Sequence, residues 1–336
     1  MEPDVPQRSE LQKLAYASLT RYFQDHENEV VEIEILPPGV QPPDGVLMHE
    51  GLHLGVSKKA LVLAFMEARQ QFFTNKHSND PSTIDQTMRA TEIMLLFDPE
   101  HITAANYRKC ELARLKAEHG LHTGNICHTS LQRELRFLNS ILTSPLHRQS
   151  KSPTLWYHRA YVVDSLISVE LAEAANSQKM IFWKKELDAV CKSGEQHPRN
   201  YHAWQYARRL VQKARSFDFE EHFARNVKTW CCRHPSDISG WSFLLYLMPQ
   251  IALSLKQELL RDVFNYAVKL DIKNESLWVF MRTALVEDLS STGHLETYQR
   301  LQVHAETLRA DKRLSTEYES ILHAVQWVET YRTDTG

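Results

Sequence analysis

Glycine and proline are scarce, ten and thirteen among 336 residues. A sandwich or barrel of many tight turns needs more of both, so the bias is toward helices. Cysteine is scarcer still: Cys110, Cys127, Cys191, Cys231 and Cys232, with no C-x-x-C spacing. An odd, scattered set is no disulfide framework and reads as reduced thiols. An excess of either charge is missing too. Thirty-nine Lys and Arg stand against 42 Asp and Glu, a formal net charge of −3, which gives no electrostatic case for nucleic acid. The longest apolar run, ALVLAFM at 60–66, falls far short of the ~20 residues that span a bilayer. The opening MEPDVPQRSE is charged and proline-bearing where a secretory leader is apolar, and the closing YRTDTG has no prenylation box. The expectation is a cytoplasmic chain that neither inserts into a membrane nor carries a lipid.

One motif invites a metal. His49-Glu50-x-x-His53 has the spacing by which many zinc peptidases hold their ion. That chemistry needs a helix, because i,i+4 spacing puts two imidazoles on one face only there. The segment follows ILPPGVQPPDG, with four prolines and two glycines, and Gly51 sits inside it. The next good helix start is Ser57, a cap ahead of KKALVLAFMEARQQFF. Residues 45–55 are therefore predicted to be an extended or turning lead-in, and no metal site is expected in this chain. Adjacent Cys231 and Cys232, with no second ligand pair nearby, carry none either.

What the sequence does have is a period. HPRNYHAW (197–204) and HPSDISGW (234–241) each place a Trp six residues after a Pro. DIKNESLW (271–278) repeats the spacing with Ile272 in place of Pro, and KSPTLWYHR (151–159) gives Trp156 with a shorter lead. DPEHITAANYRK (98–109) keeps the spacing but has Ala105 in place of Trp. The anchors at 105, 156, 204, 241 and 278 are 51, 48, 37 and 37 residues apart. Periods of this size mean stacked supersecondary units. Each reads as two helices: an amphipathic one at 179–193, 219–233 or 254–270, a turn, then a second one capped near Asn200, Asp237 or Asn274 that carries the Trp in its first turns. At 254–270 the apolar stripe is Leu255, Leu259, Leu260, Val263, Phe264, Ala267 and Val268. Trp156, Trp204, Trp241 and Trp278 are read as core, and His197 and His234 as turn residues. Stretches 294–313 and 316–332 look like closing helices that cap the exposed end. The fold expected is all-α, a right-handed superhelical array of antiparallel helix pairs. Its regions would be an N-terminal helix with a Pro-rich lead-in (1–56), the repeats (57–290) and capping helices (291–336). A tetratricopeptide array fits poorly, since WQYARRLVQKA and WSFLLYLMPQ lack its Leu-Gly step.

RNYHAWQY and Trp156-Tyr157-His158-Arg159 resemble the repeats of protein prenyltransferase α-subunits, and NESLWVF resembles the last such repeat. EVVEIEILP, LHLGVSKKALVLAFMEARQQF and LLFDPEHITAANYRK resemble the lead-in of a divergent branch, the prenyltransferase α-subunit repeat-containing proteins. The resemblance implies a crescent of helix pairs around a β-subunit that holds the catalytic zinc, the isoprenoid and most of the active site. It implies a Lys just before Asn-Tyr that faces the isoprenoid diphosphate, a place held here by Arg199 and followed by Asn200, and it places Tyr201 at the substrate channel or in packing. His158, Arg159, Asn274 and the four Trp are implied as repeat anchors. The departures are Ala105, Ala207 ahead of Arg208, and Leu244 where Arg is usual. The divergent branch implies a geranylgeranyltransferase of a third type, pairing with a Rab-enzyme β-subunit to modify a farnesylated SNARE protein. A non-catalytic helical-repeat adaptor is the alternative.

Overall fold

The computed structural model describes residues 8–214, 219–286, 292–310 and 318–332. They form fifteen α-helices and one small sheet. The chain divides into two compact units, residues 1–181 and 182–336, with the division falling inside one helix. Among the described residues no helix is long and apolar enough to cross a membrane.

In the first unit α1 (Arg8–Asp25) leads to three strands, β1 (Glu32–Leu36), β2 (Leu47–Glu50) and β3 (His53–Ser57). The extended and turning stretch expected at 45–55 lies in β2, β3 and the turn between them. The order is β1-β3-β2, with β1 parallel and β2 antiparallel to β3. Val31, Ile33, Leu54 and Val56 bury one face, the alternation that a half-buried strand requires. The amides of Val31 and Ile33 donate to the hydroxyls of Ser140 (3.0 Å) and Ser144 (2.8 Å), so part of the sheet's edge is satisfied by side chains. The HExxH stretch is a hairpin: Glu50 pairs with His53 and His49 with Leu54, around Gly51 at φ 54°. The ring of His49 lies 5.3 Å from that of Tyr22.

Helix α2 (Lys58–Asn75) starts where predicted, with Ser57 Oγ accepting from the Ala60 amide at 3.1 Å. It packs between α1 and α3 (Pro81–Phe97). Then come α4 (Ile102–His119), α5 (Ile126–Leu142), the single turn α6 (His147–Ser150) and α7 (Pro153–Glu170). Helix α7 packs on both α4 and α5.

Helix α8 (Asn176–Gln196) spans the division. The second unit continues with α9 (Tyr201–Ala214), α10 (Glu220–Arg233), α11 (Ile238–Leu247), α12 (Leu253–Lys269), α13 (Glu275–Val286), α14 (Thr292–Ala310) and α15 (Glu319–Arg332). Alternate helices touch: α11 lies against α9 and α13, and α13 against α15, while α12 lies against α10 and α14. Successive pairs α10–α11, α12–α13 and α14–α15 also meet. That is two layers built from helix pairs, the predicted helical-repeat architecture. Each amphipathic helix buries one stripe; in α12 this is Leu255, Leu259, Leu260, Val263, Phe264 and Ala267. Val268, assigned to the same stripe from sequence, is exposed, because it lies on the outer edge one residue beyond the buried face. Of the closing helices, residues 311–317 lie outside the described residues.

Candidate functional site

The five anchors occupy one structural position. Ala105, Trp156, Trp204, Trp241 and Trp278 are each the fourth residue of α4, α7, α9, α11 and α13, and all are buried. From there an indole folds back over its own helix start. Trp156 Nε1 donates to the Ser150 carbonyl at 2.7 Å, Trp241 Nε1 to Pro235 at 3.0 Å and Trp278 Nε1 to Ile272 at 2.8 Å. Every acceptor lies six residues back, so the spacing seen in sequence is the footprint of a hydrogen bond. A carbonyl in the turn ahead of the helix has no helical partner, and a buried indole N–H needs one. Trp156 makes the bond despite its shorter lead from Pro153. Where Ala105 has no indole, the Pro99 carbonyl accepts from Ser152 Oγ at 3.1 Å, the hydroxyl that also caps α7. Trp204 Nε1 is the exception, buried with no hydrogen-bond partner among the described residues.

The turn ahead of Trp204 differs from the others. Arg199 adopts φ 60°, and among the described non-glycine residues only Asp271 shares that left-handed region. Its amide donates to Asp237 Oδ2 at 2.6 Å. Asp237, 1% exposed, caps α11 with its other oxygen, which accepts from the Gly240 amide at 2.9 Å. Asn200 is fully buried: Oδ1 accepts from the Ala203 amide at 3.3 Å to cap α9, and Nδ2 donates to Ser193 Oγ at 3.0 Å. Arg199 and Tyr201 are both exposed, on either side of that buried cap. Tyr201 stands edge-on to His202 with ring centroids 5.5 Å apart. Arg199 is therefore displayed on a turn that two repeats hold in place. His197, read from sequence as a turn residue, is buried, while His234 packs flat on Trp230 at 4.2 Å. Asn274 holds the cap position of α13, where its carbonyl accepts from the Leu277 amide at 3.2 Å.

On the exposed side of α9, Arg208 donates to Ser242 Oγ at 3.0 Å and lies 5.5 Å above the ring of Tyr246. Partial burial lowers its pKa from the usual guanidinium value. Arg208 and Arg282 each stand four residues after an anchor Trp, and Arg282 lies 4.4 Å over the Trp327 ring.

His158 and Arg159 are buried in the first unit. His158 Nε2 sits 2.6 Å from Glu134 Oε1, and Arg159 donates to Asn139 Oδ1. Glu134 also takes Arg108 in a two-pronged pair at 2.7 and 2.5 Å. Arg108 further donates to the Met88 carbonyl (2.7 Å) and Thr91 Oγ1 (2.8 Å), tying α3, α4, α5 and α7 together. Burial alone would raise the Glu134 carboxyl, but the Arg108 charge and the His158 bond hold it down at about 2. Arg108 and Arg159 stand three residues after their anchors; at the matching places of α9 and α11 are the buried Ala207 and Leu244.

Residues 155–264 match the family model described as the ECM9 middle domain. The chain is 23% identical over 188 residues to protein prenyltransferase alpha subunit repeat-containing protein 1 of Danio rerio, covering 52% of this chain and 40% of that protein. It is 27% identical over 203 residues to Protein ECM9 of Saccharomyces cerevisiae, covering 59% and 49%. To the geranylgeranyl transferase type-2 subunit alpha of the same yeast it is 24% identical over 216 residues, covering 61% and 59%. The match thus spans less than two thirds of each relative's length. With five anchors in one register, the chain is similar at low identity to the prenyltransferase α-subunit repeat proteins.

Proposed function

We propose that this chain is the α-type subunit of a heterodimeric protein prenyltransferase that transfers a geranylgeranyl group to a protein cysteine. The observation that carries the reading is Arg199: an exposed guanidinium, on a backbone held by Asp237, beside the exposed Tyr201. When the bond between isoprenoid and diphosphate breaks, negative charge grows on the leaving diphosphate. A fixed guanidinium offers a permanent charge and a planar set of donors to that group. Arg199 would stabilise it, Tyr201 would border the isoprenoid, and Asn200 would hold the turn. Zinc, expected in a β-subunit, would hold the acceptor cysteine as thiolate. No metal is assigned to this chain. Pairing with a β-subunit of the Rab-enzyme type, a farnesylated SNARE as acceptor and a cytoplasmic location are the finer parts of the same proposal.

The apolar Ala207 and Leu244, at places where Arg is usual, favour a second reading, a non-catalytic adaptor built on the same repeats. Affinity purification of the tagged chain from its own cells separates the two. A stoichiometric prenyltransferase β-subunit, with geranylgeranyl transfer by the recovered complex, supports the first. Reproducible recovery without a β-subunit supports the second.

A further inference from the structure

The residue just before the helix cap differs from repeat to repeat. It is Glu100 ahead of α4, Lys151 ahead of α7, Arg199 ahead of α9, Ser236 ahead of α11 and Lys273 ahead of α13. Only Arg199 is left-handed. A residue with a Cβ is disfavoured there, whereas glycine is not. Such a conformation persists only where the surroundings impose it, and it clusters at functional sites.

Here the imposing group can be named. We infer that Asp237 is a positioning residue: by binding the Arg199 amide it holds the turn that aims the Arg199 guanidinium at an anionic group, the leaving diphosphate. The inference rests on the function proposed above and adds the part played by the next repeat. One carboxylate has two tasks. Oδ1 starts α11 by accepting from the Gly240 amide, and Oδ2, 2.6 Å from the Arg199 amide, fixes a residue 38 positions earlier. Capping needs one oxygen only, and serine or asparagine would supply it. A carboxylate buried to 1% exposure is costly unless both its oxygens are used. The geometry points to the second oxygen being kept for Arg199.

The test separates the cap from the clamp. Asp237→Ser keeps a capping oxygen and removes the one that reaches Arg199. Transfer is measured at saturating isoprenoid diphosphate in the intact complex, for Asp237→Ser, Arg199→Ala and the double variant. Asp237→Ser should lower kcat about tenfold with the KM for the acceptor protein unchanged, the scale of one charge-assisted contact. In the Arg199→Ala background the same change should lower kcat no further, because the two act as a unit. In the isolated full chain, hydrogen exchange at the Arg199 amide should speed up in Asp237→Ser. An equal loss in both backgrounds would make Asp237 a fold support and overturn the inference. So would an unchanged rate in Asp237→Ser while Arg199→Ala is impaired, and in that case the function proposed above would stand. Full activity in Arg199→Ala, or a β-subunit complex without transfer, would remove the proposed function and this inference together.

Discussion

The indole N–H of Trp241 donates to the carbonyl of Pro235, 3.0 Å away and six residues earlier. The bond closes the turn between α10 and α11 while the ring fills the core beside Phe280, at a centroid distance of 5.1 Å. The two contributions can be separated. Trp241→Phe keeps most of the apolar volume but leaves the Pro235 carbonyl without its donor, a loss of about 1 to 3 kcal/mol. Trp241→Ala also opens a cavity and should cost about 3 to 5 kcal/mol. Urea unfolding of both variants checks the order: a Trp241→Phe chain as stable as the parent would mean that the hydrogen bond contributes nothing, and equal losses that the ring's volume does not.

Trp230 sits between two glycines. A Cβ built on Gly240 would stand 2.6 Å from Trp230 Cζ3, and one on Gly194 would stand 2.9 Å from Trp230 Cζ2. Neither glycine needs an unusual backbone, since neither is among the positive-φ residues; both are small because an indole passes over them. Gly240→Ala is expected to destabilise by about 1 to 3 kcal/mol through overpacking. In a Trp230→Leu background the same substitution should be close to neutral, a coupling that thermal melts of the four proteins would reveal.

In the first unit Arg108 and Glu134 are both 2% exposed. Breaking such a pair leaves a buried charge, so Arg108→Met should cost about 3 to 5 kcal/mol. The pH dependence has a definite sign. Glu134 titrates at about 2 in the folded chain against 4.5 when unfolded, so as pH falls through this window the unfolded state takes up its proton first. The stability Glu134 supplies is full above about pH 5 and fades as pH drops toward 2. Glu92, whose carboxyl burial pushes up despite Arg108 at 3.5 Å, acts the other way and favours the fold at low pH. Glu92→Gln, which mimics the protonated acid, should stabilise the chain at neutral pH and leave the acid limb little changed, while Arg108→Met should shift acid unfolding to higher pH; circular dichroism against pH and urea checks both.

Much of the repeat architecture could be read from the chain because its determinants are local. A six-residue offset fixes each Trp against its own turn, and Asn200 and Asp237 announce the starts of α9 and α11. The sheet could not be read in the same way. β1 pairs with β3 across an intervening strand, and its amides are satisfied by Ser140 and Ser144, over a hundred residues away. The same holds for the site. Arg199 was visible as a charge beside Asn-Tyr, but its left-handed backbone and its tie to Asp237 are contacts between repeats that no local pattern encodes. Glu134 likewise lies 24 residues from His158 and 26 from Arg108, with no motif to mark it as the hub.

The strained turn gives the sharpest test of what Arg199 is for. Its φ of 60° is one that glycine adopts freely and arginine does not. Arg199→Gly should therefore leave the fold about 0.5 to 1 kcal/mol more stable than Arg199→Ala, which keeps the strain of a Cβ. Both variants lose the guanidinium, so both should lose about ten- to a hundredfold in prenyl transfer by the complex. Arg199→Lys should recover much of that rate, since charge matters more than the planar fork at a diffuse diphosphate. A protein that gains stability while losing activity at one position is the mark of strain retained for function. Measured against the parent chain, Arg199→Gly should lose no stability; if it instead unfolds more readily than the parent, the side chain is supporting the turn. The guanidinium would then belong to the architecture of the second unit rather than to its chemistry.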